Sequence, residues 1–400
     1  MSNGHRRVAV GDLCNFANGN GFRPPDWSAA GLPIIRIQNL NGSHKFNYFA
    51  GEPREKWLVR PGDLLFAWAG VKGVSFGPKI WPGPKGVLNQ HIFRVEPTKN
   101  VDHYWLYLTL LWATERIEAR AHGFKSSLLH VQKDDITNQM VDVPPLAEQR
   151  RIAEILRTWD EAIEKLEALR AAKERRLQGA LRGFFGPTRV VGGGARPKGW
   201  TLSSLGDSFV ERKDKNSRLT DTDVVTVGKY RIGKQTDHFT RSVASKDLSP
   251  YWIISPGDFV YDPMSAYYGA LGRYDAYADG LVSPAYRVIQ LRADLVDSDF
   301  MVQLLRTAHV RFLLEARSSQ GNKEGKRRSL QRSAFDSIEF FLPPMDKQKR
   351  LAGIARDFEA DIASTAREIT ALQRQKRGLM QKLLTGEWRV SVGEATEAAE

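Results

Sequence analysis

The residues of this chain that could do chemistry are few, and none stands in a catalytic set. Tyr261-Asp262-Pro263-Met264 places a carboxylate and a proline behind an aromatic residue and only loosely resembles an adenine-methylating Asp-Pro-Pro-Tyr loop. It lacks the second proline and the following aromatic, and no Gly-rich cofactor loop precedes it after a strand. Glu324-Gly325-Lys326 has the Glu-x-Lys spacing of metal-dependent nucleases, but no upstream carboxylate pairs with it. Taken as a phosphate loop, Gly321 to Lys326 is too short, and Arg327 stands where Ser or Thr is needed. A strand end and a basic loop are the simpler readings. The eight histidines are scattered, and Cys14 is the one cysteine. A single thiol makes neither an intrachain disulfide nor a Cys-based zinc site. The expectation is a non-enzymatic chain with no catalytic residue, metal or cofactor of its own.

Binding chemistry is better represented. The chain has 59 Lys and Arg against 46 Asp and Glu, a net charge of +13. Such a surplus suits a polyanion, although a merely basic soluble protein shows it too. Phosphates are contacted by Lys, Arg and backbone amides, and bases by Arg, Asn, Gln and small polar residues. On that rule the candidate DNA contacts in the first half are Lys72, Lys85, Asn89, Gln90, His91, Lys125, Ser126 and Ser127. In the second half they are Arg212, Lys213, Lys215, Tyr267, Tyr268 and Arg273, and the cluster Lys323, Lys326, Arg327 and Arg328. Charge runs are usually solvated faces, so each single position competes with that plainer role. Trp57, Trp81 and Trp105 are expected in the core.

These candidates fall on a layout that is written twice. Pro144-Pro145-Leu146-Ala147-Glu148-Gln149-Arg150-Arg151-Ile152-Ala153 has its counterpart in Pro343-Pro344-Met345-Asp346-Lys347-Gln348-Lys349-Arg350-Leu351-Ala352. Arg60-Pro61-Gly62-Asp63 is matched by Ser255-Pro256-Gly257-Asp258, and Phe93-Arg94-Val95 by Tyr286-Arg287-Val288. Glu118-Ala119-Arg120 is matched by Glu315-Ala316-Arg317, and the order of the matches is kept throughout. Self-similarity of this kind marks an internal repeat. Pro-Gly-Asp predicts a turn in which Pro presets φ, Gly takes positive φ and Asp bonds the local backbone. The turns agree between the halves while the basic loops differ.

A long helix follows each Pro-Pro, because proline blocks helix upstream of itself. The first carries Ile152, Trp159 and Leu166 every seven residues, with Leu156, Ile163, Leu177 and Phe184 beside them. The second carries Leu351, Phe358, Thr365, Leu372 and Leu379, with Ala355, Ile362, Ile369 and Leu383 beside them. This spacing makes a coiled-coil seam, interrupted at Arg170, Lys173 and Lys376. The expected partner-helix seam is Ile152, Trp159, Ile163, Leu166, Leu351, Phe358, Ile362 and Leu372. At about 38 residues and roughly 57 Å, neither helix can bury its stripe alone. An antiparallel pair would put the two globular domains at opposite ends. Thr188 to Gly199 is glycine-rich and reads as a linker, and Gly393 to Glu400 reads as a frayed end.

The two boxes, the turn, Trp200 and the late Leu383-Leu384-Thr385-Gly386-Glu387-Trp388-Arg389-Val390 carry a resemblance. Over about residues 1 to 390 the chain resembles the specificity subunit of type I restriction-modification systems. Asp346-Lys347-Gln348 departs from the Glu-Gln that family prefers. The resemblance implies an α+β chain of two similar α/β target-recognition domains, joined by two long helices in an antiparallel coiled coil with a pseudo-twofold repeat. The domains would span 1–143 and 200–342, the helices 144–187 and 343–386, the linker 188–199 and the tail 387–400. It further implies a bipartite, asymmetric double-stranded DNA target, two methyltransferase subunits and restriction subunits. S-adenosylmethionine, ATP and Mg²⁺ would belong to those partners.

Two other readings compete, a coiled-coil adaptor that binds only protein and a nuclease or methyltransferase with an unfamiliar site. No secretory signal and no apolar run of about 18 residues is visible, so a cytoplasmic protein without a membrane segment is expected.

Overall fold

The computed structural model describes residues 5–120, 128–186, 195–217, 223–229, 231–235, 245, 247–321 and 327–391. Contacts divide the chain into two compact units. The first joins residues 1–167 to 367–400, and the second is 168–366. The division falls inside both long helices, so each unit owns half of each helix rather than one whole helix.

Both units use the same antiparallel four-stranded sheet. In the first its order is Cys14–Asn18, Ile92–Pro97, Leu64–Ala67, Gly77–Ile80. In the second it is Phe209–Arg212, Arg287–Leu291, Phe259–Tyr261, Leu271–Arg273. The strand that opens each domain pairs antiparallel with the one that closes it: Arg6–Ala9 with Met140–Val143, and Thr201–Ser204 with Glu339–Leu342. The Pro-Gly-Asp turns behave as their residue types dictate. Gly62 and Gly257 have φ of +92° and +91°. The Asp63 and Asp258 carboxylates each accept the backbone N–H three residues back, at 2.8 Å.

The halves differ in their helices. In the first the stretch before the closing strand carries one long helix, His103–Arg120. The second breaks the equivalent stretch into Ser298–Leu305 and Ala308–Arg317. Thr307 makes the break, because its hydroxyl accepts the Val310 N–H at 3.3 Å as an N-cap.

The long helices are Leu146–Phe185 and Met345–Leu384, each 40 residues. Both start just after their Pro-Pro. In the first unit Ile152, Ala153 and Leu156 share an apolar cluster with Met380, Leu383 and Leu384. In the second, Leu351 and Ala352 share one with Phe185. The start of one helix therefore meets the end of the other, an antiparallel pairing within each unit. Of the expected seam, Ile152, Ile163 and Leu351 are buried, while Trp159, Leu166, Phe358, Ile362 and Leu372 are half-buried. Phe185 rather than Phe184 carries the deep contact at the first helix's end.

The lysines that interrupt the stripe are used. Lys173 Nζ reaches Asp361 at 2.8 Å and the Thr365 hydroxyl at 3.0 Å within the second unit. Lys376 reaches Asp160 at 2.5 Å within the first. Asp160 also accepts the Tyr104 hydroxyl at 2.6 Å, so one carboxylate ties the domain helix to both long helices. Burial, and then that hydrogen bond, pushes the Tyr104 hydroxyl pKa well up.

The departure between the two boxes also has a structural reason. Glu148 is 4% exposed and bonds Arg389 through both oxygens at 2.9 Å, with His5 at 3.3 Å. It also accepts the Val390 N–H. Its counterpart Lys347 instead stands 5.1 Å over the Trp200 ring. The beginning of the expected tail is therefore docked, whereas residues 392–400 lie outside the described residues.

Burial alone would raise the Glu148 pKa, but the hydrogen bonds from Arg389 and His5 outweigh it and hold the carboxyl below its usual range. A depressed carboxylate contributes stability above its unfolded pKa and loses it as pH falls through the folded value. Arg389→Ala is expected to destabilise the first unit by about 1–3 kcal/mol at neutral pH, towards the lower end because Arg389 is half in solvent. The acid-unfolding midpoint should move to higher pH. An unchanged midpoint in pH-jump circular dichroism would reject this role for the pair.

Candidate nucleic-acid interface

The sequence candidates separate into three groups. The first is occupied inside the fold. Arg212 ends the strand Phe209–Arg212 and bonds Asp214 and Asp258, both at 2.7 Å. Asp258 is the turn residue of Pro-Gly-Asp and is buried, so Arg212 clamps that turn. Arg273 ends the strand Leu271–Arg273. Its guanidinium holds Asp275, Asp299 at 2.7 Å and the Ser298 hydroxyl at 2.9 Å. Burial would lower both guanidinium pKa values, yet the hydrogen-bonded carboxylates raise them. Lys72 donates at 2.9 Å to the Glu118 carbonyl, and Glu118 takes the Gly73 N–H at 2.8 Å. Lys72 therefore caps the end of His103–Arg120, as cations do at helix C-termini. Lys213 pairs with Glu211 at 3.2 Å, and Lys215 lies 5.6 Å over Trp252.

The second group is brought together at the surface. Tyr267 and Tyr268 sit in the short turn Ala266–Tyr268. Arg328, from the strand Arg327–Ser329, stands 5.5 Å over Tyr267 and bonds Glu315 at 3.0 Å. Lys229, which sequence reasoning missed, stands 4.9 Å over Tyr268. Tyr268 is 58% exposed, so this is an aromatic step flanked by two cations. The Leu330 N–H to Pro263 carbonyl bond, 2.8 Å, fastens the Asp262 loop beside it. Asp262 itself binds the Met264 N–H at 2.9 Å and the Ser265 hydroxyl. That is an Asx turn at a strand end, the role the plain reading of Tyr261-Asp262-Pro263-Met264 gives it.

In the first domain Asn89, Gln90 and His91 form the turn between Gly86–Leu88 and Ile92–Pro97. Lys85 is exposed at the other end of that three-residue strand. Trp68 bridges His91 and His130, with ring centroids at 5.1 and 4.8 Å. The third group, Lys125, Ser126, Ser127, Lys323 and Lys326, lies outside the described residues, as does the side chain of Arg327. Among the described residues no group of three His, Cys, Asp or Glu could hold a metal ion.

Residues 5–173 match the family model of the type I restriction modification DNA specificity domain. The MjaVIII specificity subunit of Methanocaldococcus jannaschii is 22% identical over 94% of this chain and 96% of its own length. The chain is thus similar to type I restriction-modification specificity subunits along nearly its whole length. The EcoBI specificity subunit of Escherichia coli is 26% identical over 40% of this chain. That match covers about a third of the E. coli protein, 34% of its length.

Solved specificity-subunit structures share the fold. The type I restriction-modification S subunit of M. genitalium aligns with a TM-score of 0.54 at 13% identity, over 96% of this chain and 97% of that one. A chain from a structural study of type I complex assembly and conformational transition aligns with a TM-score of 0.57 at 15% identity, over 97% and 99%. No helix of the described residues is long and apolar enough to cross a membrane.

Proposed function

We propose that this specificity subunit reads a bipartite, asymmetric DNA target, one half-site per unit, and carries methyltransferase and restriction subunits to it. The observation that carries the reading is a repeated scaffold with unrepeated polar loops. The sheet order, the closing strand pair and the Pro-Gly-Asp turns agree between the units. The polar turns differ: half-buried Asn89 and His91 flank exposed Gln90 in one, and exposed Tyr268 and Lys229 stand with half-buried Tyr267 and Arg328 in the other. Identical turns would read a palindrome, and different turns read two sequences. The chemistry would then belong to the partners, with S-adenosylmethionine, ATP and Mg²⁺ bound there. Trp159, Gly378, Leu379 and Trp388 line an open groove in the first unit, a surface suited to a protein partner.

The test is DNA binding of the chain with its partner subunits across a salt series. Each phosphate contact contributes a slope of about −0.9 in log K against log salt. A steep slope is expected, and replacing Lys326, Arg327 and Arg328 together by alanine should flatten it by about two to three units. Salt-independent binding would favour a protein-only adaptor, and turnover by the isolated chain would favour an enzyme. An unchanged slope in the triple variant would remove this loop from the DNA. The methylated motif should be split, and swapping one domain should change one half alone.

A further inference from the structure

We infer that Arg36, which opens a polar shelf with Asn89 and Asn20, is a base-reading residue for the first half-site, Arg36 taking a guanine edge and Asn89 an adenine edge. This rests on the DNA-reading role proposed above and assigns it to atoms. The strands Leu32–Ile35 and Gly86–Leu88 are parallel, in the register Ile34 with Val87 and Ile35 with Leu88. Arg36 and Asn89 are the next residues of each, so the two chains leave the sheet side by side. The Asn89 N–H bonds the Ile35 carbonyl at 3.0 Å. Asn20 joins from the other side through an isolated parallel bridge to Asn89, with its N–H on the Leu88 carbonyl at 2.8 Å. Gly19 permits this approach, since a Cβ there would stand 2.1 Å from the Asn89 carbonyl oxygen. Gln38 is exposed just beyond Arg36.

The base of the shelf is rigid, because Ile34, Ile35, Val87 and Leu88 are fully buried. Two polar atoms on it are unsatisfied. The Arg36 guanidinium lies 4.6 Å over the Trp27 ring. Its Nη2 is buried without an acceptor, and the Asn89 Oδ1 is buried without a donor. Orphaned polar atoms of this kind are uncommon and call for a function. By contrast, Arg94 holds Glu96 and the Leu58 carbonyl, and Arg60 holds Glu55. Stacking on an aromatic face orients a guanidinium while leaving its N–H fork for a bidentate acceptor. Guanine N7 and O6 are that acceptor in the major groove, and adenine N6 and N7 suit an asparagine amide. The second unit has the same parallel contact, Val224 with Leu281, again directly after a glycine, Gly280. Thr226 and Ser283 then occupy the places of Arg36 and Asn89, so this position varies where the scaffold does not.

The experiment maps the methylated motif made by the assembled complex, with Arg36→Ala and Arg36→Lys beside the native chain. It also measures DNA affinity on single-base variants of the site. The native complex should show a split motif. Both variants should lose discrimination by about tenfold or more at one G·C pair of the first half-site, with the second half-site unchanged. Lysine keeps the charge and the stem, so its failure to restore readout separates recognition from charge or folding. A native split motif that Arg36→Ala leaves unchanged, or relaxes in the second half, overturns the assignment while the DNA-reading role stands. A native complex without sequence preference overturns both.

Discussion

Gln149→Ala is expected to cost the first unit about 2–4 kcal/mol, and Gln348→Ala to cost the second the same. Both side chains are 1% exposed and do the same work. The Gln149 Oε1 accepts the Asp102 N–H at 2.9 Å, while its Nε2 donates to the Pro144 carbonyl at 2.9 Å. The Gln348 Oε1 accepts the Asp297 N–H at 2.8 Å, while its Nε2 donates to the Pro343 carbonyl at 2.9 Å. A weaker bond reaches the domain backbone in each, to the carbonyls of Asn100 and Leu295. One amide thus fastens the first turn of a long helix to the loop that starts a domain helix. Alanine would strand a buried donor and a buried acceptor together, each costing about 1–3 kcal/mol. Glutamate would keep the acceptor but repel the proline carbonyl, so Gln→Glu should be nearly as damaging. Hydrogen exchange, read separately over the two units, is the measurement. Loss of protection spread equally over both units by one substitution would show that the amide is not a local clamp.

The box that carries the clamp was legible because it is local: proline, proline and glutamine lie within six residues, and the same spacing recurs 199 residues on, from Gln149 to Gln348, whereas its partners Asp102 and Asp297 lie 47 and 51 residues away and were not. The Pro-Gly-Asp turns and the long helices were legible for the same reason, since φ limits and a seven-residue apolar period act over short stretches. The basic candidates fared differently. Arg212 and Arg273 have Asp214 and Asp275 two residues on, but their further acceptors Asp258 and Asp299 lie 46 and 26 residues away and arrive only through the fold. Lys72 is likewise captured by a helix end 46 residues on. Conversely, Arg36 and Asn89 become neighbours through a parallel register of two residue pairs, which no periodicity announces. Charge marks the class of partner, whereas pairing decides which charges remain available to it.

Inserting one heptad into the middle of both long helices is expected to lengthen the preferred spacer between half-sites by about three base pairs. Inserting it into one helix alone should collapse the pairing. Each helix serves both units: Leu156 and Leu383 share an apolar cluster in the first, and Phe185 and Leu351 share one in the second. Between these anchors the seam polar pairs fix the register, Lys376 on Asp160 in one unit and Lys173 on Asp361 in the other. Polar contacts in a seam mark its register, because a slip leaves Lys376, 15% exposed, without its partner Asp160. Seven extra residues in one helix would allow the contacts of one unit to form only by breaking those of the other. Each broken apolar anchor costs about 2–5 kcal/mol, on the scale of a large-to-small core substitution. Seven in both preserve every pairing and add about 10 Å of helix, close to three base-pair rises of roughly 3.4 Å. The added DNA also turns by about a third of a helical turn, so affinity should fall even where spacing is met. Methylome mapping of the double insertion reads the spacer, and thermal melting of the single insertion reads the register. An unchanged spacer in a stable double insertion would mean that the helices join the two readers without measuring between them.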